Sequence, residues 1–181
     1  MLTGKIVKPE EAGRLSFRSP DVGDVSAIHA LVKCCAPLDV NSRFCYLSFC
    51  EHFASTCVVA EANGVVIAFI IAYSPPERRD TLFIWQMAVD QPFRQCGVAK
   101  QMLRNLLSLH HLKRIRNIEA TVSPSNAAAC ALFHSLAREC NTFLGKSLLS
   151  AATMFDEAHH KQSKLIRVGP INSISKTLIG R

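Results

Sequence analysis

Eight consecutive apolar residues, Val65-Val66-Ile67-Ala68-Phe69-Ile70-Ile71-Ala72, constrain this chain more than any other stretch. The run is far short of the roughly 20 residues that cross a bilayer, so it reads as a strand buried in a protein core. Asn63-Gly64 precedes it, and before that lies the shorter apolar segment 56–62. Both central residues of a type I′ turn need positive φ, and Asn-Gly between two apolar runs therefore predicts an antiparallel hairpin. The turn-rich segment 75–80 and the apolar segment 81–89 add a third strand to this meander.

The flanking sequence supplies helices. Residues 14–18 alternate at period two as a strand, and Pro20-Asp21 then opens a helix with Val22, Val25, Ile28, Ala30, Leu31 and Val32 at helical spacing. A loop over 36–41 leads to a second helix over about 42–53, with Phe44, Leu47 and Cys50 expected on its apolar face. Beyond the third strand, a helix from Gly97 (Val98, Met102, Leu103, Leu106, Leu107) precedes a strand over 117–122, then a helix near Asn126 (Ala129, Leu132, Phe133, Leu136). Strand–helix–strand–helix order implies a parallel pair with a right-handed crossover. Residues 141–160 carry no regular pattern, and 165–168 reads as a last strand. The expected class is α/β, more fully an α+β mixed central sheet with helices on both faces. The strands ending at Val89 and Val122 are expected to diverge around the site. One domain is expected over 14–170, with flexible ends at 1–13 and 171–181.

Composition narrows the function. A chain of 181 residues, 49% hydrophobic and 19% charged, suits one globular domain. The formal charge of +7 is concentrated in 100–116 and 161–181; it suits a solvated surface or an anionic partner, whether nucleic acid, acidic lipid or a phosphorylated small molecule. Neither a helix-turn-helix pair nor a basic–aromatic pattern occurs, so no nucleic acid is expected, and no apolar segment calls for a membrane. Residues 1–13 lack the apolar core of a signal peptide, which points to the cytoplasm. Eight cysteines without a Cys-x-x-Cys are expected as free, buried thiols, with no metal.

The chemistry concentrates in Met87-Ala88-Val89-Asp90-Gln91-Pro92-Phe93-Arg94-Gln95-Cys96-Gly97-Val98-Ala99-Lys100, where a strand ends, turns through a glycine and opens a basic helix. Such a junction aims backbone N–H groups and the positive helix end at one point, which suits a diphosphate. Gly97 lets backbone approach closely, Ala99 avoids crowding, and Arg94 or Lys100 supplies positive charge. The segment also fits a plain glycine-assisted turn, since it lacks the P-loop and dinucleotide patterns.

Arg94-Gln95-Cys96-Gly97-Val98-Ala99 resembles the Arg/Gln-x-x-Gly-x-Gly/Ala loop of the GNAT N-acetyltransferases, and 123–133, with Asn126 opening a helix and Phe133 after it, resembles their second cofactor segment. Further segments are similar to the L-2,4-diaminobutyrate acetyltransferases: Pro37-Leu38-Asp39-Val40-Asn41-Ser42, continuing through Tyr46-Leu47 to 50–61, and Phe83-Ile84-Trp85-Gln86-Met87-Ala88-Val89-Asp90, with Thr121-Val122-Ser123-Pro124.

The resemblance implies a GNAT fold, acetyl-CoA as cosubstrate, and acetylation of the 4-amino group of diaminobutyrate in a cytoplasmic homodimer. Met87, Ala88, Val89, residues 94–100, Asn126 and Phe133 would hold the cofactor. A backbone N–H near Val89 would receive the negative charge that develops on the carbonyl oxygen. Asp39, Asn41, Tyr46, Trp85 and His160 would line the acceptor pocket, with Asp39 anchoring an ammonium and Trp85 offering a cation–π face. Asp39 also fits a helix cap or a turn, Trp85 fits plain core, and a helical Tyr46 more often packs.

Two departures stand out. Phe133 replaces the proton-donating tyrosine of the wider superfamily, and Ser163 stands where the family's His-x-x-Glu places a substrate-binding glutamate. The missing carboxylate leaves Asp156, Glu157, Glu51 or Asp39 to carry the charge, or a different acceptor.

Overall fold

The computed structural model describes residues 13–36, 38–123, 125–148 and 163–171. Its strands are β1 (Ser16–Arg18), β2 (Val58–Ala62), β3 (Val65–Tyr73), β4 (Thr81–Val89), β5 (Asn117–Val122), β6 (Leu144–Leu148) and β7 (Lys164–Val168). They form a seven-stranded mixed sheet in the order β1-β2-β3-β4-β5-β7-β6. Among the described residues, four helices accompany it: α1 (Val25–Lys33), α2 (Arg43–His52), α3 (Val98–Ser108) and α4 (Ala127–Glu139). The described residues up to 72 with 86–106 make one compact unit, and 73–85 with the described residues from 107 onward make a second.

In the first unit the hairpin forms as its turn chemistry demands. Asn63 and Gly64 have φ of 51° and 75°, and β2 and β3 pair antiparallel from Ala62↔Val65 to Val58↔Ile70. Ile67 to Ala72 are all buried, so β3 is covered on both faces. From α1, Val25, Ile28, Leu31 and Val32 are buried; Ala30, expected with them, is exposed. The start of α1 is tied to the sheet through Arg18. Its guanidinium forks onto the buried Asp24 at 2.6 and 2.8 Å, and its Nε donates to Glu61 at 3.0 Å. Asp24 also accepts the Asp21 N–H at 2.9 Å and closes a capping box at the short 3-10 turn Val22–Asp24.

Helix α2 corrects the sequence reading. It buries Tyr46 and Cys50, four residues apart, while Phe44 is 74% and Leu47 37% exposed. The tyrosine goes inward because its hydroxyl finds a partner there, which removes the cost of burying it.

In the second unit, β4 and β5 pair in parallel from Thr81↔Asn117 to Ile84↔Ala120, the parallel pair that the element order predicts. Strand β7 lies antiparallel to both β5 and β6. Glu119 is fully buried in mid-sheet, its two oxygens taken by Arg78 at 2.6 Å and by Arg167 Nε at 2.7 Å. Strand β6 lies in the segment read as irregular; its sequence Leu-Gly-Lys-Ser-Leu has no apolar alternation, as befits a strand with one neighbour. Gly169 is required where the chain leaves β7, since a Cβ there would sit 2.7 Å from the Arg116 carbonyl oxygen. Ile171, assigned by sequence to the flexible tail, is buried and donates its N–H to Arg116 O at 2.6 Å. Residues 172–181 lie outside the described residues.

The cysteines also depart from expectation. All are free, but only Cys35, Cys50 and Cys57 are buried; Cys34 and Cys96 are exposed. Burial pushes the Cys57 thiol up to about 11 and that of Cys50 to about 12, so both stay protonated near neutrality.

Candidate active site

Strand β4 ends in a turn built for close backbone approach. The Asp90 N–H donates to Ile67 O at 2.8 Å, and the Asp90 carboxylate caps the 3-10 turn Gln91–Phe93 by accepting from Gln91 N at 2.8 Å. Buried Phe93 anchors this turn, while Arg94, Gln95, Cys96 and Gly97 are exposed. Gln95 and Gly97 both have positive φ, 63° and 78°. Glycine adopts that conformation without strain, and it turns successive N–H groups toward one side of the loop. The bond from Gln101 N to Gly97 O at 3.0 Å starts the ladder of α3, and the first-turn N–H groups of a helix face out of its N-terminal end. Between Gln91 and Ser108 the chain holds Arg94, Lys100 and Arg104 and no carboxylate.

Arg94 is exposed but tethered. Its Nε donates to Val89 O at 3.0 Å and its Nη2 lies 3.2 Å from Cys35 Sγ; that thiol in turn reaches Val89 O at 3.6 Å. The guanidinium thus braces the end of β4 against the end of α1. Met87 and Val89 are half-buried and Ala88 is buried.

Asp39 is exposed in the loop between α1 and α2, and Asn41 is half-buried beside it. The Asn41 side-chain amide donates to Asp39 O at 3.3 Å. The cap of α2 is Ser42, which accepts from Cys45 N at 3.2 Å, so Asp39 does not fill the capping role that its position also allowed. Tyr46 is fully buried, and its hydroxyl donates to Gln86 Oε1 at 2.9 Å and accepts from Asn41 N at 3.4 Å. The structure therefore corrects the role read for Tyr46: its hydroxyl supports the loop from inside. Desolvation raises the tyrosine above its ordinary value.

In the second unit, Trp85 is half-buried on β4. Asn126 caps α4, its side chain accepting from Ala129 N at 3.0 Å, and Phe133 is buried two turns on. Ser163 is buried immediately before β7. Among the alternative carboxylates, Glu51 is exposed on α2, while Asp156 and Glu157 lie with His160 outside the described residues. Among the described residues, no three histidine, cysteine or carboxylate side chains gather as a metal site.

Sequence reasoning missed Gln86 and Cys35. The signal for Gln86 was present: it is the polar member of the inward-facing row Leu82, Ile84, Gln86, Ala88. Cys35 had no signal, because a thiol reads as a small apolar filler.

The sequence pattern of the acetyltransferase (GNAT) family matches residues 25–137. An L-2,4-diaminobutyric acid acetyltransferase of Halalkalibacterium halodurans is 39% identical over 158 residues, 87% of this chain and 83% of that protein. One from Bordetella parapertussis is 39% identical over 166 residues, 91% of this chain and 89% of that protein. The solved diaminobutyrate acetyltransferase EctA of Paenibacillus lautus, in complex with its substrate L-2,4-diaminobutyric acid and coenzyme A, superposes with a TM-score of 0.83 at 35% identity, covering 90% of this chain and 99% of its own. The pattern match over most of the folded chain, the relatives at this identity and the shared mixed-sheet fold agree: this chain belongs to the acetyltransferase (GNAT) family, within the group of the L-2,4-diaminobutyric acid acetyltransferases.

Proposed function

We propose that the protein transfers the acetyl group of acetyl-CoA to the 4-amino group of L-2,4-diaminobutyrate. The observation that carries this reading is the likeness, over nine-tenths of the chain, to an enzyme solved with that diamine and coenzyme A together. The loop at 94–100 fits a diphosphate, with two positive-φ residues, a helix start and the basic residues Arg94 and Lys100, followed by Arg104 on α3. Residues 94–100 hold the pyrophosphate in this reading, Met87, Ala88 and Val89 flank the acyl arm, and Asn126 and Phe133 contribute from α4.

An alkylammonium with a pKa near 10 is not a nucleophile until it loses a proton. Asp39 orients the acceptor by its carboxylate, with Trp85, Asn41 and His160 as further walls. The ammonium first gives one proton to solvent; the free amine then forms the new C–N bond at the thioester carbonyl, the C–S bond breaks, and the electron pair leaves on the CoA thiolate. The amine's second proton passes to solvent or to the departing thiolate, since Phe133 has none to give. A backbone N–H near Val89 receives the charge on the carbonyl oxygen, and the Arg94 brace keeps that strand end in place. No step requires a metal.

The test is coenzyme A release from acetyl-CoA and diaminobutyrate, followed by chromatography because exposed Cys34 and Cys96 consume thiol reagents. Release no faster than thioester hydrolysis would refute the reading. Ser163 favours one alternative, a different small diamine; kcat/KM compared across diaminobutyrate, ornithine, lysine and putrescine decides between them.

The product, N4-acetyl-L-2,4-diaminobutyrate, suits ectoine synthesis under osmotic stress, and we place the enzyme in the cytoplasm. Self-association as a homodimer is supported by the outward apolar side chains Val40, Phe44, Leu47 and Phe53, the first two 50% and 74% exposed. A sedimentation coefficient of the monomer at every concentration would overturn it.

A further inference from the structure

The acceptor loop is held from inside by a closed ring of hydrogen bonds around one buried amide. We propose that Gln86 is a positioning residue for the acceptor: it fixes the backbone of residues 39–41, and thereby where the Asp39 carboxylate stands. This rests on the reading of Asp39 as the ammonium anchor.

Four bonds make the argument. Gln86 Nε2 donates to Asp39 O at 2.9 Å, Tyr46 Oη donates to Gln86 Oε1 at 2.9 Å, Asn41 N donates to Tyr46 Oη at 3.4 Å, and Asn41 Nδ2 returns to Asp39 O at 3.3 Å. The polarity of this ring is determined. A backbone carbonyl only accepts, so the amide must turn its NH2 to Asp39 and its oxygen to Tyr46. The tyrosine proton is then committed to Gln86, and a lone pair of its oxygen is presented to Asn41 N–H.

Neither support is free to move. Gln86 is 8% exposed and Tyr46 fully buried, its ring edge-on to Phe69 at 6.5 Å and to His29 at 6.0 Å. Loop residues 39–42 have no helix or strand of their own to hold them. The ring supplies what secondary structure does not, and it reaches the loop's backbone at Asp39 and Asn41, with Asp39 itself exposed.

Gln86→Leu keeps the volume and removes both bonds; Tyr46→Phe removes only the hydroxyl. With both bonds gone and the loop backbone released, Gln86→Leu is expected to raise KM for the diamine by about tenfold, equivalent to about 1.4 kcal/mol. KM for acetyl-CoA should stay within about twofold. Exchange of the Asn41 amide, followed by NMR on the full chain, should quicken in both variants. Because the groups act as one ring, the double variant should be no worse than Gln86→Leu alone. If Gln86→Leu does not fold, Tyr46→Phe carries the same test, with a smaller shift in the same two readouts.

An unchanged diamine KM in a folded variant overturns the proposal, as does an equal rise in both KM values. Faster Asn41 exchange with normal diamine kinetics also overturns it, since the ring would then serve the fold alone. Failure of the wild-type protein to turn over the diamine is a different result: it refutes the assigned reaction and is seen before any variant is made.

Discussion

Replacing Arg18 by methionine keeps most of the side chain's packing and removes the charge that three elements share. Asp24 would keep its bond from Asp21 N but lose both guanidinium bonds, leaving a carboxylate that is 6% exposed without its counter-ion. Removing one partner of a fully buried pair costs about 3–5 kcal/mol. The Arg18 side chain is 37% exposed, however, so solvent screens the pair and a loss of roughly 2–3 kcal/mol is the better expectation. In a chain of this size that is a fall in Tm of about 4–12 °C. The pH dependence makes the test specific. Burial pulls the Asp24 carboxyl upward, but the Arg18 guanidinium and the Asp21 N–H outweigh it and hold the group below its ordinary value. A depressed carboxyl stabilises the fold above its unfolded pKa of about 3.9, and that contribution fades as pH falls through the lower folded value. Urea melts of both proteins near pH 7 and at about pH 3 should therefore show a deficit that shrinks in acid. A deficit under about 0.5 kcal/mol at neutrality, or one of equal size at both pH values, would refute the reasoning.

Arg94→Glu should raise KM for acetyl-CoA by about tenfold or more, and clearly beyond Arg94→Gln, because the glutamate adds negative charge beside the diphosphate; equal effects would leave Arg94 as a brace only. Asp39→Ala should raise KM for the diamine by about tenfold while leaving that for acetyl-CoA near normal, and normal diamine kinetics would return Asp39 to the role of turn former. Thiol labelling of the native protein should modify Cys34 and Cys96 first and leave Cys50 and Cys57 intact; early labelling of Cys57, whose Sγ lies 3.4 Å from Ala72 O, would contradict the packing of β2 on β3.

What was legible in the sequence is what periodicity and turn chemistry control. Asn63-Gly64 took the two positive φ values its type requires, and Val98, Met102, Leu103, Leu106 and Leu107 are all buried, as their spacing on α3 predicts. The turn from β4 into α3 was legible because its glycine and basic residues follow a strand and open a helix. The face of α2 was not: ranking by hydrophobicity puts Phe44 inside, whereas the Tyr46 hydroxyl finds Gln86, forty residues away in sequence. Such a pairing has no local signature. Strand β6 was missed for the opposite reason, since Gly145, Lys146 and Ser147 are all exposed and carry no alternation to detect. The support of the loop between α1 and α2 runs through a buried amide and two backbone groups, and backbone partners never show in a list of side chains.

The buried Glu119 has a consequence for how the sheet is assembled. Strand β7 follows β6 after residues 149–163, too long a connection for a tight turn to dictate which residues face each other. Sliding β7 along β5 by one residue would swing Arg167 to the opposite face and strand a carboxylate in the interior. Arg78, reaching the other oxygen from the turn before β4, makes the correct alignment complete only when both guanidiniums arrive. The ion triad thus acts on register as well as on stability, because every slipped pairing of β7 on β5 leaves the buried Glu119 short of a guanidinium.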